Sequence, residues 1–258
     1  MSNQRKNLLF VACTYTFFWV VVILAVLLPG TPQSKGTVSQ FMLLVGGWAP
    51  TIAVFVLFKR LFPGNTIKRF YQNAFRGRLN TRLLLVITAV QALIVICTVG
   101  MIAFTKRVSV VSLFNLSIQS IATCILITLV TGATGEESGW RGFLQISFEK
   151  RFTVIRSSII TGIIWAIWHA PLWFTTSGFE GMELLRYIVS FVITIVSLAV
   201  VIGICYDRCR NLFVPMWIHF MFNLVAPAFT GSMLDFMTWY AVFYGTIAVG
   251  YGMWYSRT

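Results

Sequence analysis

Apolar runs of about twenty residues, separated by short polar segments, recur along the whole chain. Eight stand out: Leu8–Leu28, Phe41–Phe62, Leu83–Phe104, Leu113–Thr134, Thr153–Thr175, Leu184–Cys205, Leu212–Pro227 and Leu234–Tyr255. A helix rises ~1.5 Å per residue, so runs of this length match the ~30 Å of hydrocarbon in a bilayer. The pattern predicts an all-α, polytopic membrane protein of about eight transmembrane helices, the seventh being the shortest. One stretch breaks the pattern. Around residues 67–82, Ile67, Phe70, Tyr71, Ala74 and Phe75 fall on one helical face, with Lys68, Arg69, Gln72, Asn73 and Arg76 opposite. That spacing predicts a basic amphipathic helix in the membrane interface, its cations toward an anionic inner leaflet. A solvated connector is the plainer alternative.

This divides the chain into residues 1–112, three helices with the interfacial segment; 113–228, four helices; and 229–258, the last helix. Composition agrees: 58% of the 258 residues are hydrophobic and 10% charged, which excludes an ordinary soluble domain. A net charge of +13 would suit nucleic acid, but the cations lie between apolar runs, where they report orientation. With the N-terminus inside, sixteen of the twenty Lys and Arg, Arg141 among them, fall in cytoplasmic segments. Only Lys35, Lys106, Arg107 and Arg186 fall outside. Both termini are therefore expected in the cytoplasm, with no nucleic-acid partner, and the compact length and short loops point to a prokaryotic plasma membrane. The five cysteines form no CxxC pair, so neither a disulfide framework nor a cysteine metal site is expected. The first run is too long for a signal-peptide core and reads as a retained helix.

The chemistry concentrates in GEESGWRGFLQ, residues 135–145, which places two carboxylates and a guanidinium beside hydrocarbon-like sequence. Ionisable groups at membrane depth are costly and mark functional sites. Glu137 and Arg141 are four apart and share a helical face, so they can pair, while Glu136 points about 100° away and stays free for chemistry. The chain's two histidines lie in WAIWHAP and WIHFMFN. His219 and Asn223 share one face of the seventh run, and Trp165 stands one turn before His169, able to wall off its ring. Depth matches if the fourth helix runs on to Phe148. Glu136 is then ~18 Å from that end, and His169 ~21 Å into a fifth helix starting near Ile155. His219 comes out shallower, so the seventh helix must tilt, start late or unwind. Either histidine alone reads as a helix–helix hydrogen-bonding residue, and the Glu137–Arg141 pair alone as a lock between turns. Together, on three helices at mutually plausible depths, they read as a site.

EESGWRGF resembles the EExxxR motif of the CPBP family, the CAAX-protease and bacteriocin-processing intramembrane endopeptidases. WAIWHAP is similar to that family's second motif, usually FxxxH, with Trp165 in place of the common Phe. HFMFN resembles its third motif, HxxxN, and the likeness covers roughly Leu113 to Val225. The resemblance implies a type II CAAX-type endopeptidase with eight helices and a catalytic site inside the bundle. It makes Glu136 the general base that activates water, with His169 assisting, and assigns His219 and Asn223 to the oxyanion. Glu137, Arg141 and Trp165 would support them. The substrate would be a membrane-associated peptide or lipidated protein, either a prenylated CAAX sequence or a bacteriocin- or pheromone-like peptide. The family's metalloprotease label raises zinc, for which Glu136, His169 and His219 could supply three ligands beside a water. No HExxH is present, however, and a metal-independent glutamate mechanism uses every motif residue, so the metal-free route is favoured, with zinc as the alternative. Two other classes stay open. One is a non-catalytic immunity or scaffold protein. The other is a proton-coupled transporter, which the lack of paired interrupted helices in two matching halves disfavours.

Overall fold

The computed structural model of the chain describes residues 1–27 and 41–257; Leu28 and Lys35, used above, lie outside the described residues. Its helices are α1 (Asn3–Leu27), α2 (Ala49–Val56), α3 (Phe58–Leu61), α4 (Ile67–Ala74), α5 (Thr81–Lys106), α6 (Ile118–Thr128) and α7 (Thr134–Gly139). They continue with α8 (Ile146–Glu149), α9 (Val154–Trp168), α10 (Ala170–Thr175), α11 (Gly181–Cys209), α12 (Phe213–Asn223) and α13 (Met233–Tyr255). Among the described residues there is no β-strand, only an isolated bridge between Phe114 and Phe229. Four helical stretches among the described residues are long and apolar enough to cross a bilayer: α1, α5, α9 with α10, and α11. The chain is an all-α, polytopic membrane protein.

The interruptions have local causes. Pro50 stands in the first turn of α2, and Pro171 in the first turn of α10. Lacking an N–H, Pro171 cannot bond back into α9, so the fifth run breaks at His169 instead of running straight to Thr175. The fourth run does the opposite. α6, α7 and α8 join through two π-helical turns, Leu129–Ala133 and Trp140–Gln145, into one rod over 118–149, the extended fourth helix that the depth argument requires.

α11 is the central column, with every residue of 197–206 buried. Lipid tails are as apolar as leucine, so helices in a membrane associate through close backbone packing at small residues. α9 presents buried Ser157, Ser158, Thr161 and Gly162 to α11. A Cβ on Gly162 would lie 2.9 Å from both Ala199 Cβ and Val196 Cα.

Polar contacts define the two ends of the bundle. At one, Lys6 donates to the Leu61 carbonyl (2.8 Å), Arg210 pairs with Glu149 (2.7 Å) and with Asp207, and the Tyr255 hydroxyl donates to Asp207 (2.6 Å). At the other, Asp235 pairs with Lys106 (2.9 Å) and Arg186 (3.1 Å). Both termini thus share one end. Arg141 does not belong to the cations of that end, contrary to the sequence count: the rod carries it inward, where it is fully buried.

The interfacial segment is also shorter than expected. α4 starts at the Thr66 cap and ends at Phe75, and Asn80 then caps α5. Its apolar face covers protein more than lipid. Phe70 packs on Phe62 (5.0 Å between ring centres) and Phe58 (6.0 Å), and Ala74 clusters with Tyr206 and Leu212. Beneath it the 210–212 turn docks: Leu212 N–H donates to the Ala74 carbonyl (2.8 Å), and the Asn211 amide donates to the carbonyls of Phe75 (3.0 Å) and Gly77 (2.6 Å). A Cβ on Gly77 would collide with the Cys209 carbonyl. Leu212 is consequently fully buried, and α12 starts late, already below the surface. That resolves the depth of His219. Asn211→Ala would also strip the Phe213 N–H of its acceptor. Three hydrogen bonds are lost, each contributing about 0.5–1.5 kcal/mol net. The variant is expected to lose at least about 2 kcal/mol, read by SDS-unfolding titration of the purified protein.

Candidate active site

Every residue of 135–145 is buried. A π-turn takes in an extra residue and frees backbone carbonyls, a distortion common at functional sites. Here the freed groups find partners: the Trp48 indole donates to the Val130 carbonyl (2.8 Å), and the Thr134 hydroxyl to that of Leu129 (2.7 Å). The two π-turns bracket α7, which carries Glu136 and Glu137 into the bundle.

The carboxylates have separate environments. Glu137 is fully buried, and its Oε1 accepts from Arg141 Nη1 (3.0 Å) and His219 Nδ1 (2.8 Å). Glu136 turns to the neighbouring face, where its Oε2 accepts from the indoles of Trp140 (3.1 Å) and Trp165 (2.6 Å). Among the described residues nothing hydrogen-bonds Glu136 Oε1. One carboxylate is paired with a guanidinium, as the four-residue spacing predicts. The other is held by two neutral donors and keeps an oxygen.

His169 lies at the break between α9 and α10. Its Nδ1 meets the Trp165 carbonyl at 2.9 Å; a carbonyl only accepts, so Nδ1 carries the hydrogen and Nε2 keeps its lone pair. Trp168 (4.7 Å) and Phe191 (5.1 Å) meet its ring edge to face. On α12, His219 Nε2 and Asn223 Nδ2 converge above Gly132, in the first π-turn. A Cβ there would lie 3.0 Å from the imidazole nitrogen and 2.4 Å from the carboxamide nitrogen.

Trp165 joins these parts. Its indole N–H reaches Glu136, its carbonyl holds His169, and its ring lies 4.9 Å from that of His219, with the Arg141 guanidinium 4.6 Å over it. Its ring also stands beside that of His169, with centres 6.3 Å apart, and Trp168 adds a closer contact at 4.7 Å. The structure brings Glu136, Glu137, Arg141, Trp165, His219 and Asn223 together, with His169 tethered through the Trp165 backbone.

Sequence reasoning missed Trp140, one turn after Glu136 on the same face, a spacing that could have revealed it. It also missed Gly132, whose role follows only from the π-turn. The first helix buttresses the site. Phe10 and Phe18 pack on Trp140 (5.8 Å) and Trp168 (4.1 Å), and the Trp19 indole donates to the Trp168 carbonyl (3.0 Å).

Among the described residues no three His, Cys, Asp or Glu side chains form a group able to hold a metal ion. In the set considered above for zinc, Glu136 Oε2 is held by two indoles and each imidazole Nδ1 by a protein oxygen, which leaves Glu136 Oε1 and the two Nε2 atoms without a hydrogen-bond partner among the described residues.

Comparison with known proteins locates the resemblance. CAAX prenyl protease 2 of Methanococcus maripaludis is 30% identical over 104 residues, covering 39% of this chain and 38% of that relative. The chain thus spans well under half the length of the curated relative it matches. All seven sequence-predicted site residues lie within 117–225, and over those residues the chain matches the family of type II CAAX prenyl endopeptidases, Rce1-like.

Proposed function

We propose that the chain is an intramembrane endopeptidase that hydrolyses a peptide bond near the C-terminus of a membrane-associated, prenylated protein or peptide. The observation that carries this reading is the convergence of all three motifs through Trp165 upon a buried Glu136 with one uncommitted oxygen. Glu136 Oε1 takes a proton from a water molecule as the water oxygen bonds to the scissile carbonyl carbon. His169 Nε2 accepts the second hydrogen bond of that water and orients it. The resulting oxyanion accepts from Asn223 Nδ2, with His219 Nε2 beside it. When the intermediate collapses, the C–N bond breaks and the proton held by Glu136 passes to the leaving amine. Glu137 and Arg141 hold the His219 ring in register. No metal ligand is required on this route. The charge distribution supports both termini in the cytoplasm, and the compact length with short loops supports a prokaryotic plasma membrane. The exposed Lys68 and Arg69 of α4 would then face anionic headgroups.

The test is direct. Purified protein in lipid vesicles is given a farnesylated or geranylgeranylated C-terminal peptide, and mass spectrometry looks for the released fragment. Release from the prenylated but not the bare peptide is expected. No release from any peptide, with identical membrane-peptide termini in cells with and without the protein, overturns the proposal. Gly132→Ala examines the oxyanion pair. Its methyl group would displace Asn223 and His219, and misplacement of such groups by about 1 Å costs on the order of 10² in rate. The expected result is that loss in kcat with KM nearly unchanged.

A further inference from the structure

Away from the site, a cavity of about 730 Å³ opens between α5, α11 and α13 at the end of the bundle where both termini lie. Its walls are apolar, formed by Leu83, Val86, Val90, Ile247 and Tyr251, with Gly250 leaving the floor low. Its mouth carries two guanidiniums, Arg82 and Arg208, beside Asn80. Neither is ion-paired among the described residues, since the neighbouring Asp207 is taken by Arg210 and Tyr255. Arg208 is held in place by Trp254, its guanidinium 4.3 Å over that ring. None of the proposed catalytic residues lines this cavity.

We propose that it is a binding site for one anionic phospholipid, with the phosphate between Arg82 and Arg208 and an acyl chain along the α5–α13 groove. Charge complementarity decides the occupant. A zwitterionic lipid brings its own cation to a mouth that offers no carboxylate, whereas an anionic headgroup neutralises both guanidiniums. The apolar walls add what a soluble phosphate cannot use, and the volume lies within the range of ordinary ligand sites. Basic pockets between transmembrane helices at the more cationic end of a bundle suit such headgroups.

Detergent-purified protein is titrated with phosphatidylglycerol and, separately, phosphatidylcholine, with bound lipid counted by native mass spectrometry. Retention of phosphatidylglycerol in preference to phosphatidylcholine is expected. A cation near an anionic lipid contributes roughly 1 kcal/mol, about fivefold, so Arg82→Gln with Arg208→Gln should weaken binding by about 25-fold. Gly250→Leu is the independent variant: an added Cβ there meets nothing within 4 Å, so the helix tolerates it while the side chain fills the groove. It too should weaken binding, with an unchanged melting temperature. Three results overturn the proposal: equal retention of both lipids, displacement of phosphatidylglycerol by soluble glycerol phosphate, and displacement by a prenylated peptide.

Discussion

Glu136→Gln is expected to lower peptide-bond hydrolysis by on the order of 10²–10⁴ while the protein accumulates and melts like the wild type, because general-base contributions fall in that range. The substitution is close to isosteric. Its carboxamide oxygen can still accept from the Trp140 and Trp165 indoles, so the packing of the two rings survives. What disappears is the ability to take a proton from water. Cleavage of a prenylated peptide in vesicles measures the loss, and an SDS-unfolding titration checks the fold. The alternatives predict otherwise. A non-catalytic scaffold or immunity protein would keep its cellular phenotype in the variant. A proton-coupled transporter would lose vesicle uptake instead, with no peptide processing to lose. A variant that still cleaves within tenfold of wild type would remove Glu136 from the chemistry and the proposed mechanism with it.

Helical spacing alone placed Glu137 opposite Arg141 and turned Glu136 to another face, because i,i+4 neighbours meet in any helix. Matching depths required the fourth helix to pass Thr134, and it does. The missing parts depended on geometry that hydropathy does not encode. π-turns at 129–133 and 140–145 have no hydrophobic signature, so the cradle at Gly132 could not be foreseen. The lateness of α12 comes from Asn211, a residue at a charged turn that reads as exposed but is buried beneath α4 by two hydrogen bonds to backbone. Sequence marks Trp165 as a wall beside His169 and a supporting residue, but not as the donor that reaches Glu136. Its N–H, which has to find an acceptor once buried, was the stronger clue. The count of positive charges misplaced Arg141 for a related reason: a charge tally treats every cation as hydrated, whereas an ion pair can carry one inside.

Arg141→Met is expected to destabilise the protein by about 3–5 kcal/mol, the usual cost of removing one partner from a buried ion pair. The pair is wholly buried, and it is incompletely satisfied. Arg141 Nε and Nη2 and Glu137 Oε2 have no hydrogen-bond partner among the described residues, so each charge leans heavily on the other. Removing the guanidinium leaves the Glu137 carboxylate with only the His219 imidazole in an apolar interior, and also removes the cation held over Trp165. Adding Glu137→Gln to Arg141→Met should recover most of the lost stability, because no uncompensated charge then remains and the carboxamide oxygen still accepts from His219. Activity should follow a different course. The double variant is expected to fold yet cleave slowly, since His219 has lost the charged partner that fixes its ring above Gly132. SDS-unfolding midpoints and cleavage rates for the two singles and the double separate these effects. If Arg141→Met alone proved as stable as wild type, the pair would not be a strut of the bundle. The role of the charge at this depth would then rest on catalysis alone.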